Sequence, residues 1–207
     1  MRMILFLAML ACPAAASAQS VECEGRCEPA GSAQSRLPER TAYVTQIGTD
    51  NRATVRQTAL SALARTVQTG DDNRINLRQA GLARSEADIE QDGIANQAVV
   101  LQRGDGSNVA DIRQQGLGNQ MVVSQAAMAG GENRLAADQQ GDRNRMNITQ
   151  MGGGNDAQLA QNGDGNMMTA QQLGDGSKLV WTQTGNALPN LGITIEGSQS
   201  MTIHQGN

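Results

Sequence analysis

Aromatic side chains are almost missing from this chain: its 207 residues hold one Trp, one Tyr and one Phe. A core organised around large ring anchors is excluded by that count. Histidine is just as scarce, since His204 near the end is the single copy, and this removes most general-base, triad and metal-site chemistry. Neither an enzyme nor a bound metal or cofactor is expected. Sixteen basic against twenty acidic residues leave a net charge of −4, which gives no electrostatic case for a nucleic-acid partner. Beyond the N-terminus no apolar run approaches the ~20 residues that a membrane-spanning helix needs. Hydrophobic residues reach only 39%, whereas Gly contributes 24 and the amides Gln and Asn recur throughout. Burial must therefore be spread thinly and regularly.

The first residues have a separate character. Arg2, an apolar run and the small residues Ala16, Ser17 and Ala18 have the layout of a secretory signal over 1–18, with cleavage after Ala18. Residues 19–40 hold prolines, glycines and Cys23 and Cys27, and are expected to form a disordered, flexible leader. In an oxidising compartment the two cysteines suit a local disulfide better than a zinc site, which would need further Cys or His ligands; intermolecular pairing stays open.

From residue 41 to 207 the chain repeats itself. Gln stands at 46, 57, 68, 79, 91, 102, 114, 125, 139, 150, 161, 172 and 183, mostly in steps of 11 or 12, and again at 205. Six residues before these glutamines lies an Asn in nine pairs: Asn51/Gln57, Asn73/Gln79, Asn96/Gln102, Asn108/Gln114, Asn119/Gln125, Asn133/Gln139, Asn144/Gln150, Asn155/Gln161 and Asn166/Gln172. Ser85, Ser177 and Gln199 fill the same slot before Gln91, Gln183 and Gln205. Counted from that slot in the twelve units, all 24 residues at +2 and +4 are apolar, from Ala53 and Val55 to Met201 and Ile203, whereas +1, +3 and +5 carry fourteen charges among 36 residues. Period-two alternation of this kind marks a strand with one dry face. Gly usually follows two residues after the Gln, where a tight arc needs positive φ. A helix could also share an 11-residue period, but it fails on the alternation and on the repeated glycines.

So short a strand cannot bury its face alone, and successive units must fold back and stack. The expected fold is all-β: a β-solenoid of about seven two-strand coils, amyloid-like in its spacing. The Asn slot, +2, +4 and Gln point inward together. Buried amides need partners, and identical amides one coil apart would supply them as ladders along the axis.

An Asn-x-apolar-x-apolar-x-Gln strand followed by x-Gly-x-x-Asn, repeated behind a signal segment, resembles the curlin repeat of curli fibre subunits. QMGGGN at 150–155, QNGDGN at 161–166 and QQGLGN at 114–119 carry the resemblance best. It implies an extracellular functional amyloid, secreted unfolded through an outer-membrane channel and built into fibres of the biofilm matrix for adhesion and cell aggregation. The implied partners are further copies of the chain and other curli-type subunits or a nucleator. The leader is similar in place and length to the family's secretion-targeting segment, but its two cysteines depart from it. Half-units near Ala62 and Asn190 are degenerate, and the arc 125–133 has three extra residues.

No cap is expected after the last unit at Gln205, so its edge would recruit the next molecule. In a stack, Arg52 would lie over Arg74, Arg56 over Arg78, and Asp88 beside Asp111, like charges that weaken pairing and act as gatekeepers. Residues 151–207 hold only five charges, and this part is expected to assemble most readily. The competing expectation is a monomeric solenoid presenting a face to ice, glycan or calcium. The outward residues lack regular Thr rows, however, and the Gly-Asp pairs at Asp71, Asp105, Asp142, Asp164 and Asp175 recur at the wrong period for calcium repeats. A parallel β-helix enzyme would need a clustered set of carboxylates or His, and the sequence offers none.

Overall fold

The computed structural model describes residues 20–24 and 40–207. The expected signal segment, Cys27 and any pairing of Cys23 with it lie outside the described residues. In chain order the first eight strands are β1 (Ser20–Glu24), β2 (Arg40–Ile47), β3 (Arg52–Gln57), β4 (Ser61–Asp71), β5 (Arg74–Gln79), β6 (Arg84–Ile94), β7 (Gln97–Gly104) and β8 (Ser107–Leu117). The next eight are β9 (Gln120–Ala127), β10 (Glu132–Gln140), β11 (Arg145–Gly152), β12 (Asp156–Asn162), β13 (Met167–Leu173), β14 (Lys178–Thr184), β15 (Ile193–Glu196) and β16 (Ser200–Gly206). Among the described residues there is no helix.

Odd-numbered strands form one eight-stranded sheet, here sheet A, and even-numbered strands form the other, sheet B. Every pairing is parallel. The chain crosses from one sheet to the other at each arc, so the molecule is a β-solenoid of about seven turns. At ~4.8 Å per coil the stack is about 35 Å long.

Register follows the repeat. Gln68 pairs with Gln91, Gln91 with Gln114, and Ile89 with Ile112. The inward +2 and +4 residues of both sheets meet in one core that runs the length of the solenoid, including Trp181, Ile75, Leu77, Ile112, Met121 and Met168. Met201 and Ile203 are only partly buried because, among the described residues, β16 has a neighbour on one side alone. A slip of one residue would drive the charged positions inward, so the two faces enforce the register.

Both degenerate half-units keep their place. In β4, Ala62 stands in the Asn slot and Thr66 in the +4 slot, buried with its hydroxyl donating to the Tyr43 carbonyl at 3.5 Å. In β15, the register sets Ile193 beside Ala170 and Ile195 beside Gln172, so an isoleucine takes the Gln row. Arcs leaving sheet B begin with a glycine pressed against the next coil: a Cβ on Gly93 would lie 2.1 Å from the Gly116 oxygen. Two residues later the backbone enters the left-handed region, with φ 57° at Ala95.

Candidate assembly site: amide rows and open edges

Twenty residues singled out by the spacing line the interior in four rows. Asn51, Gln57, Asn73, Gln79, Asn96, Gln102, Asn108, Gln114, Asn119, Gln125, Asn133, Gln139, Asn144, Gln150, Asn155, Gln161, Asn166, Gln172 and Gln183 are buried. Gln205, on the outermost strand of sheet B, is half-buried.

The glutamines form side-chain ladders. In sheet B, Nε2 of Gln46 donates to Oε1 of Gln68 at 2.7 Å, and the same bond links Gln68, Gln91, Gln114, Gln139, Gln161, Gln183 and Gln205 in turn at 2.7–2.9 Å. In sheet A the row runs from Gln57 through Gln79, Gln102, Gln125 and Gln150 to Gln172, and stops where Ile195 replaces the amide. From Gln57 to Gln183 each Nε2 spends its second hydrogen across the core on the backbone of the preceding strand, as Gln114 does on the Gln97 carbonyl at 3.1 Å and Gln150 on the Arg134 carbonyl at 2.8 Å. One side chain thus ties neighbouring coils and opposite sheets. Both hydrogens are used, which removes the ~1–3 kcal/mol penalty of an unsatisfied buried donor.

The asparagines clamp arcs instead. Asn73 accepts the Asn96 backbone N–H at 3.1 Å on its Oδ1, while its Nδ2 donates to the carbonyls of Thr69 at 3.2 Å and Gly93 at 2.8 Å. A short amide on the first strand position reaches the turn before it and the glycine of the next coil, whereas a direct rung to the next side chain forms only in places, as between Asn96 and Asn73 at 3.1 Å. The sheet A row is continuous and ends on Leu188, whose N–H donates to Asn166 Oδ1 at 3.0 Å. The sheet B row breaks where the long arc 125–133 intervenes: Oδ1 of Asn108 and Nδ2 of Asn133 are buried with no partner. Leu188 and Thr66 are interior positions that the spacing alone does not single out, since neither matches the residue type of its row.

The turn aspartates serve the preceding coil. Asp71 Oδ1 accepts from the Thr49 hydroxyl at 2.6 Å and its N–H at 2.9 Å, bonds that hold its carboxyl below the ordinary value. Asp142, Asp164 and Asp175 accept from the N–H groups of Leu117, Asp142 and Gly153 in the same manner. Among the described residues no group of three His, Cys, Asp or Glu could hold a metal ion.

The outward faces differ. On sheet A the register stacks Arg52 on Arg74 and Arg56 on Arg78. On sheet B, Asp88 neighbours both Arg65, at 2.8 Å, and Asp111, while Glu90 meets Arg113 at 3.3 Å. Beyond them, where Ala136 and Ala160 are small, a shallow groove of about 310 Å³ is lined by Asp111, Arg113 and Asp138. Four strands lie at sheet ends, β1 and β2 at one end of the stack and β15 and β16 at the other.

No curated protein and no solved structure matches this chain. Residues 141–174, which span β11, β12 and β13, match the family model of the curlin associated repeat. The molecule is thus a β-solenoid with paired sheets and interior amide rows, and over residues 141–174 it is similar to the curlin associated repeat.

Proposed function

We propose that the chain is a secreted, self-assembling structural subunit of extracellular curli-type amyloid fibres, with roles in biofilm matrix, surface adhesion and cell aggregation. The observation that carries this reading is the state of the end strands: the sheet B glutamine ladder and aliphatic rows run out to β16, where Met201, Ile203 and Gln205 are only partly buried and, among the described residues, no further strand pairs. An edge of unpaired N–H and C=O groups beside half-exposed aliphatics is satisfied by another copy of the same rows. On this reading the signal segment 1–18 directs export, the leader 19–40 addresses an outer-membrane channel, the repeats 41–207 build the fibre, and the amide rows continue from molecule to molecule. Other curli-type subunits or a nucleator would share the same edges. Structural work of this kind needs no cofactor, and catalysis is not part of the proposal.

The test is to dilute the mature chain, beginning at Gln19, from denaturant into neutral buffer and follow it by electron microscopy and fibre diffraction. Fibres with a ~4.7 Å reflection are expected. A clear solution of persistent monomer would instead favour a monomeric solenoid that displays a face to a ligand.

A further inference from the structure

We propose that β1 is the strand that makes a stack of these molecules continuous, so that the leader takes part in the fibre as well as preceding it. The inference rests on the polymer reading above and concerns the junction between two copies. From β2 to β16 the described strands number fifteen, and both the first and the last belong to sheet B. Sheet B then has eight strands and sheet A, from β3 to β15, has seven.

A solenoid alternates sheets at every arc, so the strand that follows β16 must belong to sheet A. The β2 of an incoming copy belongs to sheet B. Laying that β2 on β16 leaves sheet A one strand short: β15 and the incoming β3 stand two spacings apart, about 9.6 Å instead of 4.8 Å, and their facing N–H and C=O groups have no partner. The slot is one strand wide.

β1 has the properties needed to fill it. It lies in sheet A, parallel to β3, over five register pairs from Ser20↔Arg52 to Glu24↔Arg56. With it each sheet has eight strands, and both sheets close across the junction, β16 on β2 and β15 on β1. Its alternation also matches the rows it would join. Register sets Val21 beside Ala53 and Cys23 beside Val55, both core positions, and sets Glu24 beside Arg56 at the start of a column that continues in Arg78. The +4 row of sheet A then reads Ala170, Ile193, Cys23 of the next copy and Val55, without interruption. Since β1 begins two residues after the expected cleavage at Ala18, the mature chain retains it.

Hydrogen exchange on fibres of the full mature chain tests the proposal. Amides of residues 20–24 should be protected to within about tenfold of those in β3. A second arm measures elongation from preformed seeds: Val21→Asp, which places a charge in a core row, should slow it at least tenfold, whereas Glu22→Gln on the outward register should stay within twofold. Fibres in which 20–24 exchange as freely as in denaturant, or a Val21→Asp chain that elongates at the parent rate, overturn the role of β1 and leave the polymer reading standing. Failure of the parent chain to form any fibre overturns both.

Discussion

The two sheets are built from one repeat and treat charge and amides in opposite ways. Sheet A carries Arg52, Arg56, Arg74, Arg78, Arg103 and Arg145 on its outward positions against the single acid Glu196 among the described side chains, with like charges stacked in register. Sheet B sets Arg65 on Asp88 and Glu90 on Arg113. Inside, the order reverses: the Asn row is continuous in sheet A and broken in sheet B, whereas the Gln row runs the full length of sheet B and stops at Gln172 in sheet A. Sheet B is thus the through-going glutamine spine although its Asn slots depart most, at Ala62, Ser85 and Ser177, whereas sheet A keeps its Asn slots as far as Asn166 and loses its Gln row at Ile195. A repeat fixes which rows exist, and the residues that break it decide how far each row extends.

The sharpest test of this contrast compares an interior rung with a terminal one. Gln114→Leu orphans a hydrogen of Gln91, the Oε1 of Gln139 and the Gln97 carbonyl, at a cost of about 2–5 kcal/mol. Gln172→Leu removes the last amide of its row, leaving the Gln150 Nε2 with its backbone acceptors and taking a side-chain donor from the Asp156 and Ser177 carbonyls, and should cost about 1–2 kcal/mol. Denaturant midpoints report both, and equal shifts would sink the distinction between the sheets.

Asp138 gives a smaller effect with a pH signature. Burial pushes its carboxyl above the ordinary value and nearby Asp111 adds to this, while Arg113 opposes it; one carboxylate oxygen has no partner. The folded chain therefore binds this proton at higher pH than the unfolded chain does, and the group weakens the fold at neutral pH, less so as pH falls through the raised value towards 3.8. Asp138→Asn should raise the midpoint at pH 7, and the advantage over the parent should shrink as pH approaches 4.

The weakest contrast lies in surface charge. Arg74→Glu with Arg78→Glu converts two like pairs into opposite ones and should gain a few tenths of a kcal/mol each, while Glu90→Arg beside Arg113 should lose a similar amount. Both changes should fade in 1 M salt, where screening acts within about 3 Å. Equal and salt-independent shifts on the two sheets would remove charge from the comparison.

Much of the fold was legible in the sequence because a two-residue alternation inside an 11-residue period has one comfortable geometry, and the register of the apolar rows follows from it. The direction and partners of the amide bonds were less legible. Asn and Gln look equivalent as buried carboxamides, yet the shorter side chain reaches the turn behind it and the longer one reaches its copy in the next coil. Leu188 and Ile195 hold amide slots without being amides, so residue type alone does not reveal that they belong to the rows. Thr66 stands at an apolar position because the Tyr43 carbonyl satisfies its hydroxyl. β1 was hidden for another reason: Gln19 stands two residues before Val21, as the repeat asks, but Gly25 stands where the closing Gln would mark a unit.

Every rung of the glutamine rows hands its hydrogen the same way, from the lower-numbered residue to the higher. The carboxamide dipoles therefore add instead of cancelling, and any filament made by continuing them has an arrow. Its two tips are chemically distinct, so a molecule that blocks one need not touch the other, and two filaments meeting by like tips would set donor against donor or acceptor against acceptor and come apart.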